Sequence, residues 1–585
     1  MIRLNKLYSQ PNTFETIEFR DGINLILGEK VKEDLVQTRR DRKTNGVGKS
    51  MCIEFINFCL LSDSSNSRVM KIPFDKFESE TEIMLDLTIG DIDLTVSRTK
   101  EDPDKPKIIL KHEVNQFENI HDARKFLLQI LYNNGYTELS NIPISFREFL
   151  APIIRDEDSE FKDIVYTYDL GKNIPHTQLI KPHLYYLGIN LLVFEEIKTI
   201  YKELTEKKKD KNNLEKKLTK NHTKKLSEIK SEANNLNAEV DRIGDSLEKL
   251  KTNEAYLRIQ DDMNSIEAEL GNLRKEQKAI RYELKNINSL PSFEHIQTEE
   301  IKFLYNRYRE GLGTQLVKSL DQVIKFKEKI DTFQKSILKS KVDRLILNLR
   351  AVTKKIKALE EDRKTKLNLV SSKGELSDYM NSHSIFRELL NKHGQIKTQL
   401  DNLEKLDREI TSIELERDQN FMKLDADIFG LKDTLKSIMD TILQVHEYIM
   451  GNKEASFDIK TKKNKEKIIE FEYRIFADGS RSVDRTKVFI YDIALLFNEK
   501  TSLKHPHFLI HDNIFDVDQD TLIQSLNYLA QQETENTDFQ YILTLNRDKI
   551  ENEEKRKEIK LDIDEHKIAN FTKRSPFLKI DYQEI

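Results

Sequence analysis

Tryptophan is absent from this 585-residue chain, and cysteine (2), proline (11) and glycine (17) are scarce. The two cysteines, Cys52 and Cys59, exclude a disulfide scaffold and a four-cysteine metal site. So little glycine and proline leaves few residues for the turns of several compact domains, and much of the chain is expected to be long helix. Charge of one sign is missing too. The 96 basic and 101 acidic side chains nearly cancel to a formal net charge of −5, which excludes a polyanion or polycation. No apolar run is long enough to span a bilayer, and the opening MIRLNKLYSQPN lacks an apolar core of secretory-signal length. The expectation is a soluble, cytoplasmic protein with no membrane partner.

Paired charge is what the chain has in excess. Asp, Glu, Lys and Arg make up 34% of the residues against 38% that are apolar, too polar for one conventional globule, while the near-cancellation argues against wholesale disorder. The charge is concentrated in the middle. From Phe194 to Asn288, Lys, Glu, Asn and Leu dominate, and apolar residues recur at steps of three and four: Leu226, Ile229, Ala233, Leu236, Val240, Ile243, Leu247, Leu250. A second register runs Ile259, Met263, Ile266, Leu270, Leu273, Gln277, Ile280, Leu284, Ile287, so a local discontinuity is expected between Leu250 and Ile259. Such heptad seams wind helices into a left-handed coiled coil. Pro291 breaks the pattern, which resumes at Val342, Leu345, Leu349, Val352, Ile356 and Leu359 and continues less regularly through Ile410. Ser371 to Gly394, with Gly374 and a Ser-His-Ser run, reads as a joint. Two arms around a breaker are most simply one antiparallel hairpin.

Phosphate-binding chemistry stands before the hairpin. Ile23, Leu25, Ile26 and Leu27 form a buried-strand run ending in Gly28, and Asn45-Gly46-Val47-Gly48-Lys49-Ser50 precedes apolar residues at helical spacing. A P-loop needs a strand, glycines whose N–H groups wrap a phosphate, a Lys for the β- and γ-phosphates, a Ser or Thr hydroxyl for Mg2+, and a helix N-terminus. The strict GxxxxGK[ST] spacing fails, because Lys43 stands where the first Gly belongs. If Lys30 to Thr44 is an insertion, the flanks join as GENGVGKS and satisfy the motif. That insertion carries six basic and three acidic side chains, including Arg39, Arg40 and Arg42. It reads either as an arginine-rich flap over nucleotide or nucleic acid or as a solvated loop.

Behind the hairpin, Pro506 to Asp512 is an apolar strand ending in a carboxylate, the usual form of the Mg2+-holding motif of P-loop proteins. Tyr541 to Asn546 is a second strand with a polar end, and Asp478 to Arg485 is a Gly/Ser turn leading into an apolar helix, Val488 to Phe497. A turn at a helix N-terminus suits phosphate. Each element is weak alone; their order and distances make the set strong.

In these motifs and their order the chain resembles the SMC/RecN class of coiled-coil ABC ATPases over nearly its whole length. The opening segment, ISFREFLAPIIRDED at Ile144 to Asp158 and HPHFLIHDNIFD at His505 to Asp516 look more narrowly like a bacterial domain-of-unknown-function group of SMC-like ATPases, often associated with anti-phage defence systems. The resemblance implies an α/β ABC-type P-loop ATPase head assembled from N- and C-terminal segments, with a long antiparallel α-helical coiled-coil insertion. The implied divisions are 1–193 and 426–585 for the two halves of the head, 194–289 and 334–425 for the arms, and 290–333 for an apex. With no CxxC, that apex is either a compact helical end or carries no dimerising hinge. ATP would be held by Gly28, Asn45, Gly46, Gly48, Lys49 and Ser50, with Mg2+ at Ser50 and Asp512. Ser480 and Ser482 would cap the nucleotide of a second copy in a head homodimer.

The departures qualify the chemistry. Where the class has a Glu after the Asp, Asn513 follows Asp512, and an amide orients water without accepting its proton. Asp516 or Asp518 would have to substitute, or hydrolysis would be slow until a partner acts. Asn546 stands where many relatives have His, and Val483-Asp484-Arg485 replaces the usual Gly-Gly. Arg147, Arg155 and Asp156 to Asp158 are the local equivalent of a middle loop that normally carries Gln. The catalytic set is therefore Asp512, Asn513, Asn546 and Asp516. Two functions are carried forward: an ATP-dependent DNA-engaging machine of bacterial defence or DNA maintenance, and a nucleotide-gated sensor or scaffold that scarcely hydrolyses ATP and controls a separate effector such as a nuclease. The Lys-rich stretch Lys207 to Lys225 and the arginine insertion are the candidate DNA footprints.

Overall fold

The computed structural model describes every residue except 32–42, 157–158, 160, 168–173, 220–222, 251–253, 289–319, 371–374, 478, 552–555 and 581–585. The arginines of the insertion and most of the expected apex lie outside the described residues, as do positions 157–158 of the middle-loop segment. The chain forms two compact units: Met1–Lys209 with Arg408–Ile585, and Asp210–Asp407.

The strands, in chain order, are β1 (Ile2–Gln10), β2 (Ile17–Glu18), β3 (Gly22–Gly28), β4 (Glu82–Ile89), β5 (Ile92–Arg98), β6 (Lys107–Leu110), β7 (Glu113–Gln116), β8 (Ile154–Arg155), β9 (Ser456–Thr461), β10 (Ile469–Arg474), β11 (Phe508–Asp512), β12 (Gln540–Asn546) and β13 (Lys567–Phe571). The longer helices are α1 (Lys49–Cys59), α2 (Ile120–Asn133), α3 (Leu191–Leu218), α4 (Leu226–Leu250), α5 (Glu254–Asn288), α6 (Leu320–Val370), α7 (Glu375–Gly430), α8 (Lys432–Met450), α9 (Arg481–Phe497) and α10 (Gln519–Glu535). Among the described residues no helix is long and apolar enough to cross a membrane.

In the unit containing both termini, an antiparallel sheet has the order β2-β1-β4-β5-β6-β7, and a parallel sheet has the order β13-β3-β12-β11-β8. Every residue of β3, β11 and β12 is buried, which is why these strands read as near-continuous apolar runs rather than alternating ones. Strand β3, from the start of the chain, lies between β12 and β13, from its end. The sheet is complete only when the two ends of the chain meet.

The second unit is helical. Ile266, Leu270, Leu273 and Ile280 of α5 pack against Leu345, Val352 and Ile356 of α6. Ion pairs run Glu267 to Arg363, Arg274 to Glu360 and Glu283 to Lys341, so partner numbers fall as α5 advances and the two helices are antiparallel. Gln277, the polar residue in the seam, donates to Thr353 Oγ1 at 2.9 Å. A paired polar group at such a position pins the register.

Three local findings differ from the sequence reading. Of the joint expected over Ser371 to Gly394, positions 371–374 with Gly374 lie outside the described residues, while from Glu375 onward the segment is helical and α7 passes through Gly394 without a break. Ser and Gly at open helix positions cost about 1 kcal/mol or less, too little to stop a helix supported on both sides. The discontinuity expected between Leu250 and Ile259 meets 251–253, which lie outside the described residues, whereas the described residues interrupt the first arm between Leu218 and Leu226, where no seam signal marks a break. Finally, Arg155 is not a cleft residue: it is fully buried in an ion pair with Asp492.

Candidate phosphate-binding site

The parallel register brings the C-terminal ends of three strands together. Gly28 of β3 stands beside Asn546 of β12, and Thr544 of β12 beside Asp512 of β11. The mouth of an open parallel sheet is where α/β folds place their ligands. From Gly28 the chain departs and returns at Asn45 to Gly48, and α1 then starts at Lys49.

Glycine is required at two positions of this turn. Gly48 caps α1 in the left-handed region at φ 103°, and a Cβ there would lie 2.6 Å from Phe577 Cβ. Gly28 is held by close approach: a Cβ would meet Lys49 Nζ at 2.8 Å and the Thr44 carbonyl at 2.9 Å. Gly46 also has positive φ, at 69°. Left-handed turns of this kind expose successive backbone N–H groups as an anion-binding concavity, here continued by the N-terminus of an 11-residue helix.

Lys49 reaches over Gly28 and donates to Asn546 Oδ1 at 2.6 Å and to the Thr44 carbonyl at 3.4 Å. The other end of the Asn546 amide donates to Asn45 Oδ1 at 2.9 Å. Asn546, expected at a γ-phosphate, thus bridges the lysine and the loop. The cleft in front of them is lined by Asn45 to Met51, Arg68, Asn513, Pro576, Phe577, Leu578 and Ile580 and encloses about 450 Å³, within the range of about 300–1,000 Å³ usual for small-molecule sites.

Asp512 is buried and accepts from Thr544 Oγ1 at 2.5 Å, and Thr544 Oγ1 in turn accepts from the Asn513 backbone N–H at 2.9 Å. Burial, followed by the charge of Asp512, pushes the Cys52 thiol on α1 well above its ordinary range, so that cysteine is an inert core residue. Asn513 adopts φ 59°, and its carbonyl accepts from Arg485 Nη1 at 2.5 Å. Asp516 is outside the cleft, bonded by Lys549 at 3.2 Å, and that hydrogen bond holds its carboxyl below the usual range. Asp518 caps α10 through the N–H of Thr521.

Behind Asp512 lies a buried polar network. Arg155 makes a bidentate pair with Asp492 of α9 at 2.9 and 2.8 Å, and its remaining donors go to the carbonyls of Ile164 and Tyr166. Burial holds the His511 imidazole below its ordinary pKa despite the adjacent Asp492. The neutral ring therefore donates from Nε2 to Asp492 at 3.1 Å and accepts at Nδ1 from the Tyr541 hydroxyl at 3.0 Å. Burial raises the Asp492 pKa, but Arg155 and the hydrogen bonds from His511 and Arg155 outweigh it and keep the group a carboxylate. The interior of α9 is thereby fastened to β11. Arg147, the other expected middle-loop arginine, donates to the Leu60 carbonyl and Asn57 Oδ1 at the far end of α1.

The structure lines one cleft with Asn45, Gly46, Gly48, Lys49, Ser50 and Asn513, sets Gly28 and Asn546 against Lys49, and places Asp512 at the end of β11 next to Asn513. Ser480 and Ser482 are not part of it. Ser480 caps α9 and lies 3.2 Å from the Ser482 hydroxyl at the surface. Sequence reasoning missed Thr544, whose signal was a lone hydroxyl in an apolar strand, and the segment Pro576 to Ile580, whose apolar SPFLKI reads as an ordinary chain end.

Residues 438–582 match a family described as "Uncharacterised protein conserved in bacteria (DUF2326)". That stretch includes Ser480, Asp512, Asn546 and the cleft residues Pro576 to Ile580. The chain is 23% identical to the uncharacterized protein YydD of Bacillus subtilis (strain 168) over 572 residues, covering 90% of each chain. Among solved structures it is similar to the Smc head domain with a coiled coil and joint derived from Pyrococcus yayanosii, at 13% identity and TM-score 0.34, covering 93% of this chain and 92% of that one. It is also similar to the Smc head domain with an extended coiled coil bound to the C-terminal domain of ScpA, derived from Pyrococcus furiosus, at 11% identity and TM-score 0.32, over 94% and 91% of the two chains.

Proposed function

We propose that the chain is an SMC-like, ABC-type ATP-binding protein whose cleft holds the triphosphate of ATP. The observation that carries this reading is the left-handed turn Gly46 to Gly48 opening into α1, with Lys49 poised over Gly28 at the ends of parallel strands. The donor set lining the cleft suits phosphates: backbone N–H groups and the Lys49 ammonium. Ser50 and Asp512 are the residues that would hold Mg2+, whose chemistry there is to neutralise phosphate charge. In this reading two heads close on ATP, with Ser480 and Ser482 of one copy facing the cleft of the other, and the assembly engages DNA within a multi-component bacterial defence or DNA-maintenance system.

One observation favours the second reading, a sensor or scaffold that binds ATP with little hydrolysis. Among the described residues lining the cleft there is no carboxylate, and Asp516 and Asp518 are engaged elsewhere. A general base must reach the water it deprotonates. DNA engagement rests on the resemblance alone: Lys207, Lys208, Lys211 and Lys224 of the lysine-rich stretch all face acidic partners.

ATPase assays of the full chain with and without duplex DNA, across a salt series and beside Asp512→Ala, separate these readings. DNA-stimulated turnover that the substitution abolishes and salt suppresses supports the machine. ATP binding without turnover at any DNA concentration supports the sensor. Absence of ATP binding contradicts both.

A further inference from the structure

We infer that the C-terminal segment 572–580 is the base-side wall of the cleft and makes it selective for a nucleoside triphosphate over inorganic triphosphate; this rests on the triphosphate reading above and deepens it. The segment is fixed to the phosphate loop at two points. The Phe577 N–H donates to the Val47 carbonyl at 3.1 Å, and Lys573 Nζ donates to the Gly46 carbonyl at 2.9 Å. Both bonds engage loop carbonyls, whose partial negative charge would otherwise oppose a phosphate.

A third anchor is aromatic. The Phe577 ring packs on Phe14, Phe55 and Phe571 at centroid distances of 4.9, 5.2 and 5.5 Å, and its carbonyl accepts from the Glu15 N–H at 3.1 Å. Phe55 lies on α1, so the segment is locked to the helix as well as to the loop. Such a wall is set before any ligand arrives, and less ordering is needed on binding.

The lining divides by chemistry. Asn45, Lys49, Ser50, Arg68 and Asn513 are polar, while Val47, Met51, Phe577 and Leu578 are apolar but spent in the core at 3% exposure or less. Pro576 and Ile580 are the apolar lining residues that remain half-buried and open to a ligand. Inorganic phosphate gains nothing from such surface. A base has a π-face and a ribose has C–H groups, and both gain from apolar contact.

The test is calorimetric titration of Mg-ATP and of Mg-tripolyphosphate into the full chain, the double substitution Pro576→Ser with Ile580→Ser, and the single substitution Ile580→Phe. Melting temperature serves as the check on folding. The wild type is expected to prefer ATP. The double variant should bind ATP about tenfold more weakly with tripolyphosphate unchanged, and Ile580→Phe should retain or increase the preference. Unchanged ATP affinity in the double variant, parallel weakening of both ligands, or loss of the preference in Ile580→Phe would overturn the inference while leaving triphosphate binding intact. A wild type that binds neither ligand overturns the triphosphate reading and the inference with it.

Discussion

In the unit formed by Met1–Lys209 and Arg408–Ile585, Arg155 and Asp492 are paired at 0% and 1% side-chain exposure, whereas in Asp210–Asp407 the pair Arg274–Glu360 is 61% and 45% exposed. Both are arginine–carboxylate contacts of 2.8 Å, yet they stand for different uses of charge. The exposed pairs between α5 and α6 decorate a seam that Ile266, Leu270 and Val352 already hold together. The buried pair has no water to fall back on and must satisfy its own hydrogen bonds. The 34% charged composition is thus mostly inexpensive surface charge, and a small buried fraction carries the architecture around Asp512.

The sharpest way to break this contrast is Asp492→Ala, which strands Arg155 in the core and leaves His511 without its acceptor. We expect a loss of about 3–5 kcal/mol in denaturant unfolding of that unit. Next is Gly48→Ala, where the left-handed φ and the Phe577 contact act together. A cost of about 1–3 kcal/mol is expected, with weakened nucleotide binding measured on the same sample. Arg274→Ala should cost only about 0.2–1 kcal/mol and less at high salt; a loss matching that of Asp492→Ala would erase the distinction between the units.

A fourth experiment sharpens the electrostatics of the head through pH. His566 and Glu533 are bonded at 2.7 Å, and Glu533 also accepts from the backbone of Ile23 at the start of β3. The Glu533 hydrogen bond raises the imidazole above its ordinary 6.5. Burial pushes Glu533 up, but the His566 and Ile23 hydrogen bonds outweigh it and hold the carboxyl below its ordinary 4.5. A raised histidine pKa gives stability that is complete below 6.5 and is lost as pH rises through the folded value, and a depressed glutamate pKa gives stability that is complete above 4.5 and is lost as pH falls. His566→Phe should therefore flatten the decline of stability with pH above 6.5, followed by thermal melts in a pH series; an unchanged slope would show that the pair is not coupled to folding.

How much of this was legible in the residues depended on whether a feature is local. Strands β3, β11 and β12 were readable because burial on both faces writes an unbroken apolar run, and α1 because apolar spacing follows Lys49-Ser50. The α5 and α6 seams were readable because a heptad repeats its own signal. The Arg155–Asp492 pair was not, since its members are 337 positions apart and each looks like surface charge. Arg155 accordingly reads as part of a middle loop although it is buried in an ion pair. The wall Pro576 to Ile580 was hidden for the same reason, because its relation to Val47 exists only once β13 pairs with β3.

Titration of Mg-ATP into the full chain and into Lys49→Ala bears most directly on the central claim, that the loop Asn45 to Ser50 is a nucleotide site. The account predicts saturable binding of one nucleotide per chain by the wild type, weakened at least about tenfold by the substitution. Equal affinity in the two proteins, or no binding by the wild type, would contradict it.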